Sequence, residues 1–268
     1  MTMIEQDWQG ELLRSFDGLQ GELHIRQDDE RRWLSFTDSP AIQSCMLHSD
    51  HAQLVLPYQQ TMMMWPLFVT STARRAVLMG VGGGDMIRYL QQHYPDISIQ
   101  AVDEDPVMLQ AACEYFAIKP GQSLALQVDE AEQYVQRLQQ PLDVLLIDIV
   151  ADDATPGCLY KRSFWQACQH GLSATGIMIV NVIPDSESDF VSLLEQLRSV
   201  FGQLPVCASV PGHRNVVLFV PSEQCMVQGL DELRVRAETL HRQTSLPVDE
   251  FLDVLKKDNR IRENCFCL

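Results

Sequence analysis

The sequence predicts an α/β protein, a mostly parallel seven-stranded sheet with helices on both faces, preceded by a small β appendage. Three observations predict it. From Arg75 onward, short apolar runs rich in β-branched residues alternate with helical stretches of about 10 to 15 residues. Gly80, Gly82, Gly83 and Gly84 stand where the first of those strands meets its helix. Asp85, Asp103, Asp129 and Asp148 follow or close successive strands.

Residues 1–52 read as the appendage, in which ELHIR and RRWLSF are short strands separated by the acidic turn from Gln27 to Glu30. Residues 53–221 read as a nucleotide-binding domain. A helix predicted over 53–69, with Leu54, Tyr58, Met62 and Trp65 at helical spacing, leads into it, and a polar hinge follows from Thr70 to Arg75. The alternation then runs AVLMGV, a helix from Asp85, ISIQAV, a helix from Asp105 with Pro106 in its first turn, LALQV, a helix from Asp129, and DVLLIDIV. Such alternation implies right-handed crossovers between parallel strands. A helix over 161–172, the strand TGIMIVNV, a helix over 188–201 and strands near 205–209 and 215–220 complete the domain, the last two as an edge hairpin. Residues 222–268 read as a helical cover with amphipathic helices over about 223–243 and 248–257.

With 268 residues and 46% hydrophobic content, the chain can bury a full core. Its longest apolar runs, such as Met62 to Val69, fall far short of the roughly 20 residues a membrane helix needs. The N-terminus opens with Glu5, Asp7 and Glu11 rather than a basic start and an apolar stretch, so a cytoplasmic location is expected. Eight cysteines without a CxxC pair fit reduced thiols, and no metal site is expected. His48 and His51 read as surface residues and MMMW at 62–65 as core. The terminal CFCL matches a prenylation pattern only loosely. A net charge of -16 disfavours nucleic acid and anionic lipid as partners and favours a small cation.

The glycines carry information because of where they stand: bare backbone between a strand and its helix lets a nucleotide approach closely. A phosphate there would meet Asp85, which argues for a ligand without one. Asp85 can also be read as a helix N-cap. Asp103, about 20 residues beyond the glycines, sits where doubly wound folds place an acid on ribose hydroxyls. Glu104 and Asp105 read as solvent-facing or as a cap for the next helix. Four acids at neighbouring strand ends predict an acidic crevice suited to a cation.

PYQQ from Pro57, GGGD at Asp85, VDEDP at Asp103, VDEAEQY at Asp129 and LLIDIVADDATPGCLY around Asp148 resemble the spermidine synthase (polyamine aminopropyltransferase) family. The nucleotide half of that family is similar to the Rossmann-like class I methyltransferase fold, and the likeness runs from about Gly21 to Val220. The resemblance implies decarboxylated S-adenosylmethionine as co-substrate and a small amine such as putrescine as acceptor. Gly80, Gly82 and Gly84 would cradle the nucleoside, Asp85 would meet the amino end of the donor, Asp103 the ribose and Asp129 the adenine amino group. Tyr58, Gln59 and Asp148 would flank the attacking amine, with Asp148 and Tyr58 catalytic and Asp152 anchoring a far ammonium. An acid at position 85 would repel the carboxylate of ordinary S-adenosylmethionine and so select the decarboxylated form. The resemblance also implies a homodimer paired through the β appendage. The chain departs from the family pattern at Met86, Ile149 and Arg214. A methyltransferase using S-adenosylmethionine and a non-catalytic nucleoside-binding homologue therefore stand as alternatives.

Overall fold

The computed structural model describes residues 8–37, 41–149, 155–222 and 229–267. The first sheet is antiparallel, with β1 (Glu11–Gly18), β2 (Gly21–Gln27), β3 (Arg31–Phe36) and β4 (Ile42–Leu47) in chain order. Strand periodicity turns Leu23 and Ile25 of β2 and Leu34 of β3 to one face, where they pack with Met46 and with Met108, Ala111 and Phe116 of the neighbouring helical layer. β1 lies outside the stretch read as strands because it shows no fully buried position that would mark its period.

The single helix expected over 53–69 is instead α1 (Pro57–Met62) followed by a 3-10 turn at Trp65–Leu67. Proline explains both breaks. Pro57 suits a first turn, where its missing N–H is unneeded, and Pro66 cannot continue an α-helical ladder. Met62, Met63, Met64 and Trp65 are all buried, as expected for core.

The main sheet comprises β5 (Arg75–Met79), β6 (Ser98–Asp103), β7 (Leu124–Val128), β8 (Leu142–Ile147), β9 (Leu172–Val182), β10 (Val206–Ser209) and β11 (Val216–Pro221). Their spatial order is β10-β11-β9-β8-β5-β6-β7, parallel from β9 through β7 and antiparallel where β11 meets β9 and β10. The hairpin at the edge is the one predicted. Interleaved are α2 (Asp85–His93), α3 (Pro106–Tyr115), α4 (Ala131–Gln136), α5 (Arg162–Gly171) and α6 (Glu187–Phe201). Alternate residues of one strand enter different cores: Ala76 and Leu78 lie on one face of the sheet, Val77 and Met79 on the other. That is why these strands read as nearly continuous apolar runs. Asp105 caps α3 by accepting from the Val107 amide at 2.8 Å, and Ser186 caps α6 by accepting from the Asp189 amide.

The chain leaves β5 toward β6 and β7, then returns to place β8 on the other side of β5. Loops diverge at that reversal and open a crevice at the carboxyl ends of the strands. Beyond the sheet, α7 (Leu230–Thr244) and α8 (Val248–Asp258) end in a short hairpin of β12 (Ile261–Arg262) and β13 (Cys265–Phe266). The helix predicted from about 223 is described from Leu230 onward; 223–228 lie outside the described residues. Asp258 and Asn259 accept from the Ser209 and Cys207 amides at 2.6 and 2.8 Å, so the end of α8 satisfies the free edge of β10. Among the described residues, no helix is long and apolar enough to cross a membrane.

Candidate active site

A cavity of about 650 Å³ occupies the crevice, walled by described residues of the loops after β5, β6, β7 and β8, by α1, by the start of β4 and by Asn181 and Asn215. Gly80 makes it possible. Its φ is +85°, and a Cβ there would lie 2.0 Å from the Asp148 carbonyl oxygen. Only glycine lets the end of β5 lie against the end of β8 in this way. Gly80 and Gly82 line the cavity. Gly84, expected beside them, does not: at φ +76° it is the residue from which α2 starts, and a Cβ would meet Ile118 at 2.5 Å.

Three of the four strand-end acids reach the cavity, namely Asp103, Asp129 and Asp148. Asp103 accepts from the Val81 amide at 2.8 Å and the Asp105 amide at 3.0 Å, so it also fixes the glycine loop. Burial pushes its carboxyl above the usual range despite those two bonds. Asp129 is bonded by Gln127 at 2.8 Å and paired with Arg137. Burial raises the Asp148 carboxyl to about 6; hydrogen bonds from Asn181 and Tyr58 act in the opposite direction, and the charge of Asp85 adds slightly to the rise. Glu104, Asp105, Glu130 and Glu132 add to the acidic wall.

Asp85 is the exception, and it corrects the expectation twice. It is not the cap of α2, since Gly84 precedes the helix and Asp85 is its first residue. Nor does it line the cavity: it is 3% exposed, paired with the buried Arg88, and accepts from the Cys45 amide at 3.1 Å and from Gln59 at 3.0 Å. Arg88 in turn donates to the carbonyls of His51, Gly83 and Phe116. A buried carboxylate needs such compensation. The i, i+3 spacing of Asp85 and Arg88 on one helix was the available signal for it.

From that ion pair a polar chain crosses the floor of the cavity. Gln59 donates to Asp85 and, at 3.4 Å, to the Tyr58 hydroxyl, and Tyr58 hydrogen-bonds Asp148. Burial and the neighbouring carboxylates raise the Tyr58 phenol well above its ordinary value, so it stays a donor. Asn181 donates to Asp148 at 2.8 Å, and Asn215 donates to Asn181 at 3.0 Å. The Gln59 carbonyl oxygen is buried without a hydrogen-bond partner among the described residues. Sequence reasoning named Tyr58, Gln59 and Asp148 but missed Asn181 and Asn215. A polar residue in the otherwise apolar run GIMIVNV was the one mark that could have drawn attention to Asn181.

Asp152 lies outside the described residues. His213 lines the cavity from an exposed position, whereas Arg214 turns to the Pro184 carbonyl at 3.3 Å. Burial raises the Cys45 and Cys207 thiols to about 12, which leaves neither as a nucleophile. Among the described residues no group of three or more His, Cys, Asp or Glu could hold a metal ion. The lining combines hydrogen-bond-accepting carboxylates, bare backbone at Gly80 and Gly82, and apolar walls from Val81, Val102 and Ile149, the mixture of a small-molecule pocket.

A model of the spermine/spermidine synthase domain matches residues 55–224. The polyamine aminopropyltransferase of Neisseria meningitidis is 27% identical over 223 residues, covering 82% of this chain and 84% of its own. Among solved structures, a probable spermidine synthase from Corynebacterium glutamicum matches with a TM-score of 0.71 at 19% identity, over 90% of this chain and 94% of the other. Human methyltransferase-like protein 13 in complex with SAH matches with a TM-score of 0.65 at 22% identity, over 72% of this chain and 94% of the other. These two structural likenesses are likenesses of fold, and they agree with the sheet order above: a Rossmann-like, class I methyltransferase-type domain carrying an N-terminal antiparallel sheet.

Proposed function

Since the chain belongs to the spermine/spermidine synthase domain family, a family of transferases, we propose that it moves an aminopropyl group from decarboxylated S-adenosylmethionine to a small amine such as putrescine. The observation that carries the reading is Asp148, a half-buried carboxylate with a pKa near 6 on the floor of an acidic cavity, hydrogen-bonded by Tyr58 and Asn181. An amine attacks only after its ammonium, with a pKa near 10, has lost a proton. A carboxylate whose proton affinity is raised by burial is a better acceptor for that proton than one in water.

In this reading Asp103 and Asp129 hold the ribose and the adenine, and Gly80 and Gly82 let the backbone close on the nucleoside. Asp148 takes the proton of the attacking amine while Tyr58 keeps its carboxylate oriented. The sulfonium donor supplies the electrophilic carbon; the amine lone pair forms the new C–N bond and the C–S electrons leave with a neutral thioether. Alignment and the surrounding carboxylates, which stabilise the spread positive charge, would supply the rest of the catalysis.

A second reading, methyl transfer from S-adenosylmethionine, is favoured by one observation. The charge of Asp85 is offset by Arg88 and lies behind the cavity wall, so its repulsion of a donor carboxylate is reduced. Isothermal titration with both sulfonium donors and with methylthioadenosine, followed by addition of putrescine, tests the two together. Preference for the decarboxylated donor with release of methylthioadenosine supports the first. Preference for the carboxylated donor, with no thioether release on adding putrescine, overturns it in favour of the second.

A further inference from the structure

Asp148 accepts from Asn181, which accepts from Asn215, and both amides line the cavity beside it. Asn181 is 1% exposed within β9, and its amide nitrogen donates to Asp148 Oδ1 at 2.8 Å. A primary amide can present either its NH2 or its carbonyl to a neighbour, and those two orientations act oppositely on a carboxylate. An ionised Asp148 can only accept and so selects the NH2 of Asn181; Asn215, just before β11, donates its Nδ2 to Asn181 Oδ1 at 3.0 Å and satisfies the carbonyl in that orientation. Register makes this contact possible, because Asn181 pairs with Val217 across the antiparallel β9–β11 ladder, which puts position 215, two residues earlier on the same face, diagonally across from it.

We propose that Asn181 and Asn215 are positioning residues for the reaction, Asn215 setting the orientation of Asn181 and Asn181 holding Asp148 as an ionised acceptor aimed at the attacking amine. The inference rests on the proton-accepting role given to Asp148 above. Among the described residues, the titratable or charged groups facing Asp148 are Tyr58 from α1 and Asp85 from α2, the latter in its ion pair with Arg88; His213 stands exposed on the rim, and β9 and the residue before β11 present the two neutral amides. A donor to the charged form lowers a carboxyl pKa, so removing Asn181 moves Asp148 further up.

The test uses the full chain with Asn181→Leu and Asn215→Leu, neither of which adds charge. Carboxyl carbon NMR of labelled aspartate, assigned with Asp148→Asn, reads the titration of Asp148 without any turnover. Asn181→Leu shifts that titration upward by about one to two units, the worth of a hydrogen bond to a charged group. Asn215→Leu shifts it less and in the same direction. The acidic limb of the kcat profile moves with it, while KM for the amine changes less than about threefold. If both variants melt lower yet leave the titration and the limb where the wild type has them, the amides are structural only and the proposal falls. If the titration moves as stated but the wild type turns over no amine, the hydrogen-bond control of Asp148 stands and the transferase reading falls. Should Asn181→Leu fail to fold, Asn215→Leu, at a half-buried position, carries the same two outcomes.

Discussion

Asp148 is where a single residue trades stability for function. Its folded pKa, near 6, lies above the ordinary 3.8, so the folded state holds a proton that the unfolded chain releases. The sign follows: its contribution is most favourable below about pH 4 and declines as pH rises toward 6, with a total cost of the order of 2 to 3 kcal/mol at neutral pH. Asp148→Asn should therefore flatten this part of the stability curve and melt no lower than wild type at pH 7, while transfer falls by at least about 100-fold. Thermal melts of both proteins between pH 4 and 7, with an activity assay, check it; equal slopes would show that Asp148 titrates normally. Gly80 carries a second prediction. Gly80→Ala drives a methyl into the Asp148 carbonyl from a strained φ, so nucleoside binding should weaken at least tenfold by titration calorimetry, with a lower melting temperature. Asp148 and Gly80 could be picked out from their places at strand ends. Asn181 could be suspected only as a polar interruption, and Asn215 not at all, because its role comes from a partner across the sheet.

At the level of elements, the ion pair of Asp85 and Arg88 joins α2 to β4 through the Cys45 amide, to α1 through Gln59 and to the end of α3 through the Phe116 carbonyl. Replacing one partner leaves the other buried and unpaired, at a cost of about 3 to 5 kcal/mol. Arg88→Met should thus lower stability by that amount in urea unfolding, whereas the double variant Asp85→Asn with Arg88→Met should recover a large part of it. If the single variant is neutral, the pair is not the joint described. The helices and strands around this joint follow from periodicity, caps and prolines. The direction of the Asp85 side chain does not, because an acid at the start of a helix is equally consistent with a cap, a ligand contact or an ion pair until its neighbours are known.

Across the whole molecule, the net charge of -16 gathers partly at one place, the cavity wall with Asp103, Glu104, Asp105, Asp129, Glu130 and Glu132. Like charges repel in the compact state and salt screens them, with a Debye length near 10 Å at 0.1 M. Raising sodium chloride from about 0.05 to 0.5 M should raise the melting temperature and weaken binding of a cationic nucleoside more than that of the neutral methylthioadenosine. Equal weakening of the two ligands would mean that the acids do not act on the bound charge.

The alternation of strands and helices from Arg75 onward, the burial of the main sheet on both faces and the strand-end positions of four acids were determined by local sequence, through hydrophobic period and turn chemistry acting over a few residues. The tertiary structure decided which acids face the cavity, that Arg88 offsets Asp85, and that Asn215 bonds Asn181 and Asn181 bonds Asp148. Those outcomes depend on distances between residues far apart in the chain, set by strand register and by the reversal of sheet order at β5, and such distances are defined only once the sheet has closed.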